Sequence, residues 1–460
     1  MENQEYSVGL DIGTTKIVAI VGRRNNHGKI EVMGVGKAKS LGVHKGIVNN
    51  IAQTIASIRT AVDEAQKSAG VPIKKVTVGI AGKHIRSLQH SDYIMREHPE
   101  EVITEKDIES LKDQVKKLVM LPGEEIIHVL PQEYKVDSDG EIHEPIGMSG
   151  KRLEANFHVV VGQMGSIRNI ARCVREAGLE MESLTLEPLA SSEAVLTKEE
   201  KEAGVAIVDI GGGTTDIAIF KDNIIRHTCV IPYGGGIITE DIKEGCSIIE
   251  KHAEQLKVKF GSAVPEMEKE STYVTIPGLH GRPDKEISLK TLAQIINARV
   301  EEILEMVNTE LKAYGAFEQK KKLIAGIVLA GGGSNLKHLR QLANYTTGFD
   351  SRIGFANEYV ANDKNQHLKG PEYATSIGLL MESLKIRDKK TEPEKEAETE
   401  PAAKETGKGI EIEKEIASAT DIAQITTDAN DFSTEPKAKR PTFGQQLMEK
   451  VKKFFEEVED

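Results

Sequence analysis

The sequence predicts an α/β protein of two lobes, and three observations predict it. One motif is written twice, VGLDIGTTKIVAI at 8–20 and AIVDIGGGTTDIAIF at 206–220, with Asp11 and Asp209 198 residues apart. Runs that read as strands alternate with runs of helical periodicity. The 460 residues, 39% hydrophobic and 29% charged, hold enough apolar material for several cores. Each copy of the motif starts with β-branched residues, turns on glycine and resumes with Ile, Val and Ala, which is a hairpin signal. A P-loop needs GxxxxGK with Ser or Thr opening a helix, and a dinucleotide fold needs GxGxxG there. Neither pattern stands where these strands end. What remains is a phosphate held by backbone N–H groups and hydroxyls at two facing hairpin tips.

In the first turn Gly13 lets the backbone close on an oxygen, Thr14 and Thr15 offer hydroxyls, and Lys16 offers a point charge suited to phosphate. Asp11 just ahead is placed to hold a hydrated magnesium ion. In the second turn Gly211, Gly212 and Gly213 clear space and Thr214 and Thr215 repeat the hydroxyl pair, while Asp209 and Asp216 supply carboxylates of the hard-cation type. One metal ion bridging Asp11 and Asp209 would tie the lobes together. The bland alternative is a tight hairpin at each place, and the repetition of the motif weighs against it.

Residues 1–83 read as strands followed by a helix in NNIAQTIASIRTAVDEAQKSAG, with Ile51, Ile55, Ile58 and Val62 on one stripe and Gly70 ending it. KKVTVGIAG is then a buried strand. Residues 84–164 have their own alternation: a strand around Ser87–Arg96, a helix opened by Thr104 with Asp107 as a capping box, and strands in IIHVLPQEYKV and EANFHVVVG. This block reads as a module inserted in the first lobe. SIRNIARCVREAGL returns to a helix, capped by Ser166 and ended by Gly178, and the first lobe resumes over 165–200. The second lobe covers 201–240 and 323–371, interrupted by a largely helical insertion at 241–322, and 372–385 is a helix returning to the first lobe.

From 386 the composition changes: 386–436 hold 14 acidic and 7 basic side chains, so a disordered, self-repelling linker is expected. In the last segment, 437–460, Phe443, Leu447, Met448, Val451, Phe454, Phe455 and Val458 fall on one helical face. Residues 437–453 carry five net positive charges, among them Lys450, Lys452 and Lys453. An apolar stripe beside a basic flank suits an anionic membrane surface, and the preceding linker weighs against docking on the protein's own core.

Three cysteines with no CxxC or Cys/His spacing predict neither disulfides nor structural zinc. No apolar run approaches the roughly 18 residues of a membrane span, and MENQEY has no signal-peptide pattern, so the body is expected on the cytoplasmic side. A net charge of −12 argues against nucleic-acid binding.

The paired loops resemble those of the actin-like ATPase superfamily, and further strings follow in that superfamily's order. LEPLASSEAVL at 186–196 resembles the first connecting segment, AGGGSNL at 330–336 the adenosine motif and EYATSIGLL at 372–380 the second connecting helix. The resemblance implies ATP and magnesium as ligands, with Gly331, Gly332, Gly333 and Ser334 at the adenosine. YGGGIITEDI at 233–242 and HAEQLKVKFG at 252–261 resemble the segments closing over ribose and base, which implies contacts from Gly234, Gly235, Glu254 and Lys257. Taken alone, Glu254 and Lys257 are also what a solvated i,i+3 ion pair looks like. Glu187 is the residue expected to orient a water, with Asp216 beside it positioning water or metal, so at most slow ATP hydrolysis is expected.

Within the superfamily, a small module after the first loop, a linker and an amphipathic tail together resemble the FtsA family of bacterial cell-division proteins. SLGVHKGIVNNI at 40–51, KKVTVGIAGKHI at 74–85 and LPQEYKVD at 130–137 carry the same resemblance. It implies a two-lobed actin-like fold in which 1–83 with 165–200 form subdomain 1A, 84–164 the SHS2-like subdomain 1C, 201–240 with 323–371 subdomain 2A, and 241–322 subdomain 2B. It implies ATP-dependent filaments on the inner membrane that tether the tubulin-like FtsZ, whose C-terminal peptide docks on 241–322, and recruitment of later division proteins. The linker is longer and more acidic than expected of the family, and EEVED at the end of the tail repels anionic lipid. Three alternatives stay open: a sugar-type kinase, which lacks a convincing catalytic Asp here; a chaperone ATPase, which lacks a β-rich domain after 385; and a pilus-assembly actin-like protein, which typically lacks the tail.

Overall fold

The two copies of the motif become hairpins in two sheets of one plan. The computed structural model describes residues 6–278, 283–356, 359–361 and 366–398. The first lobe opens with β1 (Ser7–Ile12), β2 (Lys16–Arg24) and β3 (Ile30–Lys39), a short pair β4 (Val43–His44) and β5 (Ile47–Val48), helix α1 (Ile51–Ala69) and β6 (Lys75–Ile80). Helix α1 starts at Asn50, whose side chain accepts the Gln53 N–H at 3.0 Å, and stops at Gly70, whose φ of +71° suits a residue without a Cβ.

The module follows as β7 (Arg86–Met95), α2 (Glu105–Lys116), β8 (Glu124–Val136), β9 (Asp139–Ile142) and β10 (Arg152–Gln163). The Thr104–Asp107 capping box is formed as expected. The sheet order is β7-β10-β8-β9, and α2 packs on it over a core with Phe157 fully buried at its centre. Strand β9 is an addition to the expected elements. Facing Asn156 and Phe157, β8 bulges at Gln132, next to Pro131, which has no N–H for the ladder.

The chain continues through α3 (Met164–Glu176), β11 (Glu180–Leu186), α4 (Glu187–Val195) and α5 (Lys198–Ala203) into β12 (Val205–Ile210), β13 (Thr215–Lys221) and β14 (Ile224–Ile231). Then come α6 (Gly235–Gly245), α7 (Glu250–Phe260), β15 (Tyr273–Ile276), β16 (Lys285–Ser288), α8 (Leu289–Tyr314), β17 (Ile327–Ala330), α9 (Leu339–Thr347), β18 (Ser351–Ile353) and α10 (Ala374–Glu398). Ser166 does not cap α3: β10 runs straight into the helix, Gln163 is the N-cap and Ser166 is buried in the first turn. The expected boundaries at 165, 201, 241 and 386 fall inside α3, α5, α6 and α10. The region expected as linker from 386 is therefore helical through Glu398.

The first lobe's sheet runs β11-β6-β1-β2-β3 and the second's β14-β13-β12-β17-β18. In each, an antiparallel meander is extended by two parallel strands, so the duplication covers five strands and not merely one hairpin. Helices α4 and α10 pack between the sheets. Val18 and Ile20 from one sheet and Val205 and Ile207 from the other meet Ala194, Ile377 and Leu380 in a shared core. The helices cross so closely that a Cβ built on Gly378 stands 1.8 Å from the Ala190 carbonyl oxygen.

The module touches both lobes. His128 Nε2 accepts the Leu186 N–H at 3.0 Å in the first lobe. The bulged Gln132 donates to the Ile225 carbonyl at 2.6 Å in the second, and His158 meets the Thr228 hydroxyl at 2.8 Å. Burial pushes His128 and His158 down to about 4, so both rings are neutral at pH 7.

Candidate functional site at the cleft between the lobes

The ends of β1 and β12 face each other across a cavity of about 440 Å³. Both glycine turns line it. So do Asp11, Gly13, Thr14, Thr15, Lys16, Glu187, Asp209, Gly211, Gly212, Gly213, Thr214, Asp216, Gly235, Glu254, Lys257, Gly331, Gly332 and Gly333 among the expected residues. The tips nearly touch: Cβ atoms built on Gly212 and Gly213 would stand 2.3 Å from Thr15 Cγ2 and 2.5 Å from Thr14 Oγ1. The second tip is laced to the start of α6, where the Gly235 and Gly236 N–H groups donate to the Gly211 and Gly212 carbonyls at 2.8 and 2.7 Å.

Three expected residues lie elsewhere. Thr215 is fully buried and donates its hydroxyl to the Tyr233 carbonyl at 2.8 Å, because strand alternation puts it opposite the cavity-facing Thr214 and Asp216. Ser334 donates to the Ala330 carbonyl inside its own turn, and Gly234 sits just behind the lining as the N-cap of α6. Lys37, Asn335, Lys337, Glu372 and Thr375 line the cavity without having been expected. A lysine on a strand or a polar residue after a glycine motif has no spacing of its own to mark it.

The floor of the cavity is acidic. Ser376 donates to Asp11 Oδ2 at 3.0 Å, Ser191 and Thr375 donate to Asp209 Oδ2 at 2.6 and 3.1 Å, and Thr214 donates to Asp216 Oδ2 at 2.9 Å. Hydroxyls of the two crossing helices α4 and α10 thus orient one carboxylate from each lobe. Asp216 Oδ1 is buried with no hydrogen-bond partner. Burial pushes Asp11 up to about 6, against Lys16 and Ser376, with the Asp209 charge adding to it. Burial, then Asp209, pushes Asp216 up to about 8 against the Thr214 hydrogen bond. Glu187 is raised well above its ordinary value by burial and then by Asp11, Asp216 and Asp209, and burial also raises Asp209. Burial lowers Lys16, which donates to the Glu372 carbonyl and stands 4.5 Å from the Tyr373 ring centre.

Burial and mutual repulsion disfavour the charged form of crowded acids, and a bound cation opposes both effects. An all-oxygen donor set with an unsatisfied carboxylate oxygen fits a hard divalent ion such as magnesium. Two glycine turns with their hydroxyls and Lys16 fit phosphate. Beside the second turn, at the start of α6, Lys257 Nζ donates to the Gly235 carbonyl and the Thr239 hydroxyl, each at 2.7 Å, and pairs with Glu254 at 2.7 Å. The two residues pair with each other and line the cavity together.

Asp216→Asn separates these effects. Since the folded pKa of Asp216 lies above its ordinary value, its contribution to stability is complete below about pH 4 and is lost as pH rises through about 8. Folding at pH 7 therefore costs a protonation that Asn does not need. The metal-free variant is expected to be more stable than the parent at pH 7, an advantage that shrinks toward pH 4. Thermal unfolding in EDTA at both pH values checks this claim, and an unchanged or lowered midpoint at pH 7 would refute it.

Two duplicated sheets, two connecting helices and a carboxylate-floored cleft between glycine hairpins define an actin-like ATPase fold. A family model described as cell division protein FtsA matches residues 206–378, and one described as the SHS2 domain inserted in FtsA matches residues 82–161. Cell division protein FtsA of Pseudomonas aeruginosa is 40% identical over 385 residues, covering 84% of this chain and 90% of its own. FtsA of Neisseria meningitidis is 37% identical, covering 89% of this chain and 97% of its own, and FtsA of Escherichia coli is 35% identical, covering 82% and 90%. Among solved structures, a type IV pilus biogenesis complex, PilM-PilN, matches with a TM-score of 0.60 at 16% identity, covering 82% of this chain and 98% of that one, a likeness of fold alone. The chain belongs to the FtsA family of cell-division proteins.

Among the described residues no helix is long and apolar enough to cross a membrane. The expected membrane-facing residues Phe443, Leu447, Met448, Lys450, Val451, Lys452, Lys453, Phe454, Phe455 and Val458 lie outside the described residues, as does the rest of the expected linker after Glu398.

Proposed function

We propose that the protein binds ATP with magnesium between its lobes, assembles into filaments when it does so, and uses the 437–460 segment to hold those filaments, and FtsZ with them, on the cytoplasmic face of the membrane at the division site. The observation that carries this reading is the cleft, in which turns from both lobes and carboxylates from both lobes converge on one cavity. A ligand that contacts both turns stabilises the closed arrangement by simple linkage, so nucleotide acts on the angle between lobes. Thr14, Thr15, Lys16 and Thr214 take the phosphates, and Glu254, Lys257 and the 331–333 turn take the nucleoside. Asp11 and Asp209 hold the magnesium, which neutralises phosphate charge when bound. Glu187 orients a water for a hydrolysis that is slow and secondary to assembly.

The 241–322 region is the proposed dock for the FtsZ C-terminal peptide, and the 84–164 module is the proposed contact for neighbouring subunits and later division proteins. One tail binds lipid reversibly, and a filament presents many tails, so their effective concentration turns weak contacts into firm attachment. Deleting 437–460 tests this. The full chain with ATP is expected to pellet with vesicles of anionic lipid, and the truncated chain to lose at least about tenfold of that binding while retaining nucleotide. Equal pelleting of both chains would remove the membrane role, and an absence of ATP-dependent filaments on lipid monolayers by electron microscopy would remove the assembly role.

A further inference from the structure

Outside the lining of the cleft, strand β14 and helix α8 bring together a second, chemically different set of ligating atoms. The imidazole of His227, the thiol of Cys229 and the carboxylate of Glu310 each offer one atom within 4.8 Å of the others, and His227 Nε2 lies 3.4 Å from Glu310 Oε2. The arrangement follows from the elements. His227 and Cys229 are two apart on a strand and so share a face. That face packs on the second lobe's core, with Cys229 against the cluster that contains Val307 and Leu311 of α8. Glu310, between those two residues in sequence, is presented to the strand by the same stretch of helix.

We propose that His227, Cys229 and Glu310 form a transition-metal site, with zinc the ion it fits, that ties β14 to α8. A nitrogen, a sulfur and a carboxylate oxygen are zinc's ordinary ligands, and the thiolate sets this site apart from the all-oxygen cleft, which suits magnesium. Three protein ligands leave a fourth position for water. The side chains of His227 and Glu310 are 28% and 37% exposed and Cys229 is half-buried, so the ion has a route in. Zinc's ligand bonds of about 2.0–2.3 Å place tetrahedral ligand atoms roughly 3.3–3.8 Å apart, so closure needs shifts of about an ångström or less.

Without metal the thiol keeps its proton: burial raises its pKa, the Glu310 carboxylate that accepts its hydrogen bond raises it further, and the Asp216 carboxylate of the cleft floor adds to this. Metal entry replaces that proton, so binding releases it to solvent and strengthens with pH. The opposite face of β14 holds the module through Thr228 and His158, and Arg226 pairs with Glu133 and Asp222, so these neighbours are already engaged. The competing account is a thiol that merely donates to Glu310, and the experiment separates the two.

Tag-free full-length protein is titrated with cobalt(II) as a spectroscopic stand-in for zinc. One equivalent is expected to produce thiolate-to-metal charge transfer and the strong visible bands of four-coordinate cobalt, and zinc is expected to erase both. Cys229→Ser should abolish the charge-transfer band, His227→Ala and Glu310→Gln should weaken binding at least tenfold, and Cys173→Ser and Cys246→Ser should leave it intact. Zinc should raise the unfolding temperature of the parent and not of Cys229→Ser, whose own melting in EDTA shows whether it folds. If Cys229→Ser does not fold, the loss of the bands in His227→Ala and Glu310→Gln carries the test. No charge-transfer band in the parent, or one that survives all three ligand substitutions, overturns the proposal.

Discussion

Alanine at Gly378 is expected to lower stability by about 3 kcal/mol or more, with the first thermal transition falling by about 5 °C or more. The new Cβ would stand 1.8 Å from the Ala190 carbonyl oxygen, 2.3 Å from its carbon and 2.9 Å from its Cα. These are backbone atoms in the middle of α4, so no side chain can swing aside, and α4 and α10 must separate. Separation opens the core in which Val18 and Ile20 of one sheet and Val205 and Ile207 of the other meet those helices. It also draws Ser191 and Ser376 away from Asp209 and Asp11, so the cleft loses the hydroxyls that orient its carboxylates. Gly165 in α3 is the matched control: it is exposed, and an added Cβ meets nothing within 4 Å. Alanine there is expected to be neutral or to stabilise by about 0.5–1 kcal/mol. A Gly378→Ala protein that melts with the parent would mean that the crossing of α4 and α10 is not tightly held.

Gly213→Val is expected to reduce nucleotide affinity at least about a hundredfold, or roughly 2.7 kcal/mol, while leaving the fold intact. A Cβ at Gly213 falls 2.5 Å from Thr14 Oγ1 and 2.9 Å from the Lys45 Cα, both in the opposite lobe. The cavity-side tip has no core behind it to disrupt, so the lobes relieve the clash by opening. Opening moves Thr14 and the Gly46 N–H that donates to it at 3.2 Å away from the second turn, and Lys45 away from the Tyr233 ring 5.0 Å distant. A ligand that must touch both turns then loses one set of contacts. Titration with a fluorescent nucleotide measures the loss, and thermal melting without ligand should match the parent within a few degrees. With ligand the parent should gain stability and the variant should not. Affinity equal to the parent's would show that closure of the two tips is not required for binding.

Much of the fold was legible because its signals are local. Gly70 ends α1, Thr104 and Asp107 open α2, and the two glycine hairpins announce themselves by residue type. Thr215 was misplaced although the signal was there: residues two apart on a strand share a face, so Thr214 and Asp216 together exclude Thr215. Ser166 failed as a cap because β10 passes into α3 without the intervening turn that a cap residue needs. Strand β9 was missed because Asp139–Ile142 is four residues long and mostly exposed, with too few apolar positions to alternate. Helix α10 outruns its expected end at 385, a stretch in which acidic composition and helical propensity point to different states.

By itself the sequence determined the two turns, the inserted module, the acidic stretch after them and the amphipathic pattern of the tail, since each depends on residues close together in the chain. Only the tertiary structure decided that the repeat extends to five strands in each lobe, that the module grips both lobes through Gln132 and His128, and that Asp11, Glu187, Asp209 and Asp216 share one floor. Those relations join segments up to about 200 residues apart, and they follow from sheet register and from two helices crossing at Gly378. No local pattern encodes such contacts, because which face of a strand is buried and how closely two helices approach are settled by what packs against them.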